Sequence, residues 1–458
     1  MPPTARAGEI SPETAALAAY MADAPARSLP EHVAAKTRLH VLDSLAAVIS
    51  GARLRPGEIA CAYVAGEGGR KEVQVPGTRI MTSARLAALA GGMMAHADET
   101  DDSHPGAFFH PGCAIVPAAL AMAERLGAGG NAVLCAVALG YDVGARINLA
   151  LGVERFYGAQ GFSTHSFGAK FGAAAAAGAL AKLDADQCRW LLSYTAQMAS
   201  GLGSWARDSE HVEKAYDFGG MGAEHGVAAA QMVAAGMTGV DDVFSGERGF
   251  FHAYGGTIAE LARGLGETFE IMNANIKKWS VGSPCQAPLD SLEHLMAVQH
   301  LKPEEVTRVT AFVPAVEAHI VDDRTMPDIC LQHLMAILML DGGLTFASTH
   351  DYARMADPAV RDLRGRIALI SDTGLPRRAG AVELTSAKTG AIRHETAHVR
   401  GTAANPMTES EVAAKARDLM APVLGPRRAA RLIDRLLALE TVADIHDLRA
   451  LTRPRAAR

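Results

Sequence analysis

The stretch FGAAAAAGALAKL (Phe171–Leu183) decides the fold class, because it combines the best helix former with residues small enough to let helices pack closely. Alanine accounts for 88 of the 458 residues, whereas aromatic residues make up only 5%. An all-β protein would draw on aromatic and β-branched residues instead. The composition therefore predicts a mainly α-helical protein.

Outward from this stretch, apolar residues recur at helical spacing from Pro12 to about Ala262, and glycine-containing breaks separate the segments. The clearest predicted helices are Glu31–Ser50, Thr82–Ala97, Pro117–Leu126 and Val133–Leu151. This first part of the chain is therefore expected to fold as a helical domain.

The pattern changes near Ile276. Alternating residues predict strands at Val306–Val313, Arg366–Ile370, Ala381–Ser386 and Ile392–Val399, with a helix at Ile329–Leu340. Helical spacing returns after Thr408, which forms a predicted capping box with Glu411. We therefore expect a large all-helical domain built from residues 1–269 and 401–458. Residues 270–400 are expected to form an inserted α+β lid domain with an antiparallel sheet, closing over a cleft between the domains.

Charge and cysteine spacing exclude several classes of protein. The chain has 44 Lys and Arg against 50 Asp and Glu, a formal charge of -6, so it lacks the basic surface of a nucleic-acid partner. No apolar run of about 18 residues predicts a membrane span, and no secretory signal pattern is visible. The six cysteines are scattered without a C-x-x-C pair, which argues against disulfide, zinc and iron–sulfur sites. A cytoplasmic location is expected.

The densest group of reactive side chains is HADETDDSH (His96–His104), followed by HPG at His110. Four acids and three histidines fall within fifteen residues, and such crowding of like charge costs stability unless something offsets it. The residues alone leave three interpretations open. They could bind Mg²⁺ or Mn²⁺, act as a general acid/base centre, or form a capped helix junction with Asp102 and Ser103 as N-caps.

Three further segments carry candidate residues. GFSTHSFGAK (Gly161–Lys170) could bind an anion at a helix N-terminus, or simply cap that helix. Lys214 could bind a carboxylate, or form a surface pair with Glu210. The Lys277-Lys278 pair could reach into a cleft, or remain a solvated charge pair.

Taken together, these residues resemble the MmgE/PrpD family almost end to end. The matching motifs are VLDSL (Val41–Leu45), the His96–His104 stretch with its HPG, LGYDV (Leu139–Val143) and NPMT (Asn405–Thr408). The resemblance implies a helical domain with an α+β lid, a homodimer, and a cofactor-independent enzyme without metal that acts on small polycarboxylic acids. The expected class is a lyase of carboxylic acid metabolism, a hydro-lyase similar to 2-methylcitrate dehydratase. An epimerase of an iminodisuccinate-like dicarboxylate is the second choice, and a non-catalytic carboxylate-binding protein is the third.

The resemblance also implies site residues. The expected catalytic residues are Asp101, Asp102, Ser103, His110, His165 and Lys214. The expected substrate-binding residues are Glu99, His104, Ser163, Lys277 and, with a shift of one residue, Lys278. Two positions depart from the family pattern: Ser163 stands where many members carry a histidine, and Gly282 stands where the decarboxylases carry one. The second change removes a proton donor, which disfavours decarboxylation of cis-aconitate.

The reactions that the resemblance implies share removal of a proton, or of carbon dioxide, next to a carboxylate. The resulting enediolate-like anion needs cationic and hydrogen-bonding stabilisation. We expect Asp101 or Asp102 to orient His110 and the hydroxyl of Ser103. His110 or His165 is expected to act as general acid/base, with Lys214 and Lys277 binding substrate carboxylates.

Overall fold

The computed structural model describes residues 10–454, so the ends of the predicted helical domain at 1–9 and 455–458 lie outside the described residues. The chain divides into two compact units. The first contains the residues up to Ala97, Asp101–Asn275 and the residues from Val412 onward. The second contains Asp98–Thr100 and Ile276–Glu411.

The first unit is helical and contains the alanine-rich stretch. Its longer helices are α1 (Pro12–Asp23), α2 (Glu31–Gly51), α3 (Arg55–Glu67), α4 (Ala84–Ala95), α5 (Pro111–Leu126), α6 (Gly130–Leu151), α7 (Thr164–Leu180), α8 (Ala185–Gln197), α10 (Met221–Ala234), α17 (Glu409–Leu424), most of which lies in this unit, and α18 (Pro426–Leu437). Its short helices are α9 (Val212–Ala215), α11 (Phe250–Tyr254) and α19 (Arg449–Thr452). The unit also holds a two-stranded antiparallel ladder, β1 (Val73–Gln74) with β2 (Met81–Thr82), which the expectation of an all-helical domain did not include.

Small residues let α7 lie against its neighbours almost backbone to backbone. A Cβ added at Gly172 would lie 2.6 Å from the carbonyl oxygen of Gly140 on α6. One added at Gly226 on α10 would lie 2.6 Å from the Cβ of Ala173. Contacts this short leave no room for a larger side chain. The glycines and alanines that predicted helices therefore also set the distances between them.

Helix α6 is the one helix among the described residues that is long and apolar enough, by length and composition, to cross a membrane. In its most apolar 18-residue window, 89% of the residues are buried inside the protein. A helix buried in the interior of a protein passes the same test, and α6 packs in the interior of the first unit.

The second unit surrounds a four-stranded sheet. Its strands are β3 (Val306–Pro314), β4 (Ile367–Asp372), β5 (Gly380–Ser386) and β6 (Gly390–Thr396), in the spatial order β4-β3-β5-β6. Its helices are α12 (Gln286–Gln299), α13 (Ala315–Val321), α14 (Leu331–Asp341), α15 (Phe346–Thr349) and α16 (Pro358–Arg364). The core is formed by one sheet face, α12 and α14, with Val309, Val382 and Leu334 fully buried.

The four predicted strands are all present, but the sheet is mixed rather than antiparallel. Strand β4 pairs with β3 in parallel, whereas β5 and β6 pair antiparallel as expected. Parallel neighbours need a long crossover, and the segment between β3 and β4 supplies one that contains α13 to α16. The fold class predicted from the sequence, mainly α with a small sheet domain, is confirmed.

The second unit ends at the predicted capping box. The backbone N–H of Glu411 donates to Oγ1 of Thr408 at 3.3 Å, and that of Thr408 donates to Glu411 Oε2 at 2.7 Å. Arg400 adds a bidentate ion pair to the same carboxylate, with Nη2 2.6 Å from Oε2. These bonds hold the pKa of Glu411 at about 2, with the bond from Arg400 as the largest cause. The capping box that the sequence predicts thus fixes the start of α17.

Candidate active site

Asp101 lies at the centre of a buried cluster in the helical unit. It follows the end of α4, and both its carboxylate oxygens lie 3.0 Å from Nδ1 of His96. Oδ1 also lies 3.1 Å from Nδ1 of His110, the residue that precedes α5. Burial opposes ionisation of Asp101, but the two imidazoles outweigh it and hold the pKa of this carboxyl well below its usual range. An ionised carboxylate only accepts hydrogen bonds, so both Nδ1 atoms donate to it.

Phe218 joins this cluster to a third histidine. The ring of His96 stacks on Phe218 at 4.2 Å between centroids, and the ring of His165 stacks on it at 3.7 Å. The rings of His165 and His110 lie 5.5 Å apart. Burial, reinforced by the nearby positive charges, holds the pKa of His165 well below its usual range. His165 is therefore a neutral imidazole at physiological pH, able to donate or accept a proton.

Lys214 approaches the same aromatic ring from α9. Its ammonium nitrogen lies 5.2 Å from the centroid of Phe218 and 5.5 Å from that of Trp205, within the range of cation–π attraction. The sequence also allowed a surface pair with Glu210. The carboxylate of Glu210 instead lies 2.9 Å from Nη2 of Arg55, and Glu210 stands before the first residue of α9. The structure therefore brings together four of the predicted catalytic residues, namely Asp101, His110, His165 and Lys214.

Asp102 has a different environment from its neighbour Asp101. Its Oδ2 lies 2.6 Å from Nδ1 of His40 and accepts the hydroxyl of Tyr141 at 2.5 Å. Its Oδ1 accepts the backbone N–H of Gly112 at 2.8 Å, which caps the first turn of α5. All of these partners lie in the packed helical core. Asp102 therefore holds the helices that carry the site, and of the two aspartates it is Asp101 that bonds to the imidazole of His110.

Ser103 and His104 also bond away from the histidine cluster. Ser103 exchanges two backbone hydrogen bonds with Asn275, at 3.0 and 2.7 Å. His104 accepts the backbone N–H of Ala107 at Nδ1 and lies 3.1 Å from Glu270 through Nε2. That bond is the largest cause holding the pKa of Glu270 at about 2. These contacts fasten the loop between α4 and α5.

The second unit contains three more of the predicted residues, namely Glu99, Lys277 and Lys278. Nζ of Lys277 donates to the carbonyl oxygen of Glu99 at 2.6 Å and lies 3.8 Å from Oε2 of the same residue. Lys278 instead pairs with Glu293, lies 3.6 Å from Asp290 and covers the ring of Trp279 at 4.1 Å. The two adjacent lysines thus have separate partners, and Lys277 is the one associated with Glu99.

Within the helical unit, one group of side chains has the composition of a metal site. Ligand atoms of His96, Asp101 and Cys113 all lie within 4.8 Å of one another. The sulfur of Cys113, however, lies 3.0 Å from the carbonyl oxygen of His110 and 3.3 Å from that of Phe218, to which its thiol can donate. Burial raises the pKa of this thiol well above its usual range. The thiol of Cys113 and the carboxylate of Asp101 are therefore already engaged in hydrogen bonds.

Several residues of the cluster were absent from the predicted site. The most central are His96, His211, Phe218 and Trp205. Two of them had a signal in the sequence, because His96 opens the acidic stretch and His211 stands three residues before Lys214. His211 precedes Val212 and adopts a left-handed conformation with φ 61°. Phe218 and Trp205 had none, because their contacts come from distant parts of the chain.

Comparison with known proteins assigns the chain to a family. The model described as "MmgE/PrpD N-terminal domain" matches residues 15–286, and the one described as "MmgE/PrpD C-terminal domain" matches residues 279–440. The chain belongs to the MmgE/PrpD family. This MmgE/PrpD protein is 24% identical to the "Cis-aconitate decarboxylase-like protein oryM" of Aspergillus oryzae, over 96% of each chain. It is 25% identical to the "Cis-aconitate decarboxylase" of Homo sapiens, over 74% of this chain and 73% of the relative.

The family motifs of this MmgE/PrpD protein can now be read from their contacts. Asp43 of the VLDSL motif lies 2.7 Å from Nζ of Lys415, and burial raises its pKa to about 6. Tyr141 of LGYDV holds Asp102, and the next residue, Asp142, accepts the hydroxyl of Tyr20 at 2.5 Å. These motifs therefore fix the helical frame around the histidine cluster.

Proposed function

We propose that this protein is a cofactor-independent lyase that removes a proton next to a carboxylate of a small di- or tricarboxylic acid. The observation that carries the proposal is the hydrogen bond from His110 Nδ1 to Asp101. With Nδ1 donating to a carboxylate, the neutral imidazole has its lone pair at Nε2, where it can accept a substrate proton. Asp101 then stabilises the imidazolium that forms.

His110 is favoured as the base over its neighbours. The side chain of His96 is fully buried, whereas that of His110 is 10% exposed. His165 lies beside His110 and is kept neutral by burial. It can therefore donate a hydrogen bond to the developing enediolate, while the proton that His110 has taken from carbon is passed to the leaving hydroxyl, which departs as water. Lys214 supplies the positive charge for a substrate carboxylate.

Water elimination is the reaction we favour. Both relatives carry the name of a decarboxylase, but Gly282 stands where such enzymes have a histidine. A Cβ at this position would lie 3.1 Å from Cγ2 of Ile329, so the local packing also suits glycine. Dehydration similar to that of 2-methylcitrate does not need that proton donor. It requires only the histidines described above.

Two alternatives use the same residues. An epimerase of an iminodisuccinate-like acid would remove and return the proton without losing a leaving group. A non-catalytic member would bind a polycarboxylate through Lys214 and leave it unchanged. We further propose a cytoplasmic homodimer that needs no metal, with Lys277 and Glu99 assisting substrate binding. The cleft between the two domains stays a prediction.

The experiment is a panel of 2-methylcitrate, citrate, cis-aconitate and iminodisuccinate incubated with the purified protein. Mass spectrometry then distinguishes loss of water, loss of carbon dioxide and unchanged mass, and chiral chromatography detects epimerisation. The expected result is loss of water from a hydroxy acid, still present after dialysis against EDTA. His110→Ala should lower the rate by about a hundredfold or more.

The matched control is His252→Ala, since His252 is an exposed histidine at the surface of the same unit. It should retain the wild-type rate within about twofold. Equal activity in His110→Ala and His252→Ala would contradict the assignment of the base. Binding of the whole panel without any turnover would favour the non-catalytic alternative.

A further inference from the structure

Ser163 precedes α7, where a serine usually accepts a backbone N–H of the first helical turn. Its side chain makes no such cap. Its hydroxyl instead donates to the carboxylate of Asp217 and accepts the indole N–H of Trp205 at 3.2 Å. A cap of this kind would stabilise the helix, so the Ser163 side chain makes a contact that helix stability does not require.

Asp217 reaches Ser163 from a π-helical turn, Tyr216–Gly220. In this turn Asp217 and Phe218 are consecutive and both buried. Turns of this type recur at functional sites. Phe218 forms the stacking surface for the histidines, so the same turn supplies one wall of the site and the acceptor for Ser163.

The loop that carries Trp205 is anchored at its other end by a buried lysine. Nζ of Lys170 donates to the carbonyl oxygen of Ser200 at 2.6 Å, and Oγ of Ser166 donates to the same oxygen at 2.8 Å. Burial lowers the pKa of Lys170 to about 7 and raises that of Asp217 to about 6. The ionisable groups of Lys170 and Asp217 are therefore both buried next to the loop that carries Trp205.

Trp205 is the residue through which these hydrogen bonds reach the proposed site. Its ring is perpendicular to Phe218 at 4.7 Å and to His165 at 5.4 Å, and it lies below the ammonium group of Lys214. We propose that Asp217 and Ser163 are positioning residues, which hold the Trp205 indole against His165 and Lys214 and so set the carboxylate-binding end of the site. The inference rests on the proposed function, because it assigns Lys214 to a substrate carboxylate.

The first test needs no turnover. Subtracting the emission spectrum of Trp205→Phe from that of the full protein isolates the signal of this tryptophan. In Ser163→Ala, we expect that signal to shift and its quenching by acrylamide to increase. Ser204→Ala, which alters the same short helix as Trp205, should leave both unchanged. An unaltered Trp205 signal in Ser163→Ala would overturn the positioning role.

The second test measures the dissociation constant of citrate by calorimetry. Loss of one hydrogen bond that positions the site should weaken binding about fivefold in Ser163→Ala, with the number of binding sites per chain unchanged. A merely structural role would instead lower the number of sites at unchanged affinity. Asp217→Asn keeps an acceptor oxygen for the Ser163 hydroxyl, so it should weaken binding less than Ser163→Ala does. This second variant keeps the test valid if Ser163→Ala does not fold.

The outcomes separate this inference from the proposed function. If wild type binds citrate and Ser163→Ala binds it equally well, the positioning role is wrong while the polycarboxylate site stands. If wild type binds none of the four acids of the panel, the proposed function is overturned, and the positioning role is then decided by the Trp205 signal alone.

Discussion

The carboxylate of Asp101 lies 3.1 Å from Nδ1 of His110, buried in the helical unit. A second imidazole, that of His96, occupies both oxygens of the same carboxylate at 3.0 Å. This arrangement fixes the tautomer of His110 and directs its second nitrogen away from the carboxylate. The proposed chemistry depends on this relationship more than on any other in the molecule.

Replacing the adjacent carboxylate should affect stability first. Asp102→Ala removes the acceptor shared by His40, Tyr141 and the N–H of Gly112. Leaving these buried groups without an acceptor should lower the free energy of unfolding by about 3–5 kcal/mol, measured by urea denaturation. Asp186→Ala is the control, because its exposed pair with Arg189 should contribute less than about 1 kcal/mol. Similar losses in both variants would refute the structural role of Asp102.

Replacing the lysine beside Phe218 should affect substrate binding. Lys214→Met removes the charge over Trp205 and Phe218 but keeps an apolar side chain there. Losing a charge-assisted bond to a carboxylate should raise KM about tenfold to a hundredfold. Lys278→Met, which breaks an ion pair with Glu293, should leave KM within about twofold. Steady-state kinetics would contradict the assignment if the two variants behaved alike.

The α+β unit should lose stability at alkaline pH. Nε2 of His350 lies 2.8 Å from Oδ2 of Asp98. Although burial favours the neutral ring, this carboxylate raises the pKa of His350 to about 9. The contribution is complete below the unfolded pKa of about 6.5 and is lost as the pH rises through 9. Thermal unfolding from pH 6 to pH 10 should therefore show a fall in Tm that is absent in His350→Gln; an equal fall in both would contradict it.

Close helix packing makes a single methyl group destabilising. Gly172→Ala would bring a Cβ to 2.6 Å from a backbone oxygen of α6, so helices must shift. We expect a loss of about 1–3 kcal/mol in the free energy of unfolding. Gly66→Ala is the matched control, because a Cβ there meets nothing within 4 Å in another helix. It should be neutral or slightly stabilising. Equal effects would indicate that α6 and α7 tolerate separation.

Local signals in the sequence predicted much of the fold. Helix α2 was expected at Glu31–Ser50 and is found at Glu31–Gly51. Helix α7 was predicted to begin near Phe171 but begins at Thr164, because its hydroxyl-rich first turns resembled a loop. The parallel pairing of β4 was missed, although the long connection between β3 and β4 points to it, since antiparallel pairing was assumed for every strand.

The candidate site was predictable as a set of residues but not as an arrangement. Sequence could not tell which of Asp101 and Asp102 bonds to His110, since the difference depends on how the turn after α4 directs two adjacent side chains. Nor could it separate Lys277 from Lys278. The roles of Trp205 and Phe218 required the tertiary structure, because both rings meet His165 only through packing between distant segments.

Deuterium exchange at the carbon next to a carboxylate is the most direct test that His110, held by Asp101, removes the substrate proton. The three proteins to compare are wild type, Asp101→Asn and His110→Ala. Each is incubated in D₂O with 2-methylcitrate, citrate or iminodisuccinate. Mass spectrometry then measures the deuterium in the recovered acid and in the product. We expect label from solvent in wild type and a rate lowered by about a hundredfold or more in both variants. Exchange at the wild-type rate in Asp101→Asn and His110→Ala would contradict this expectation.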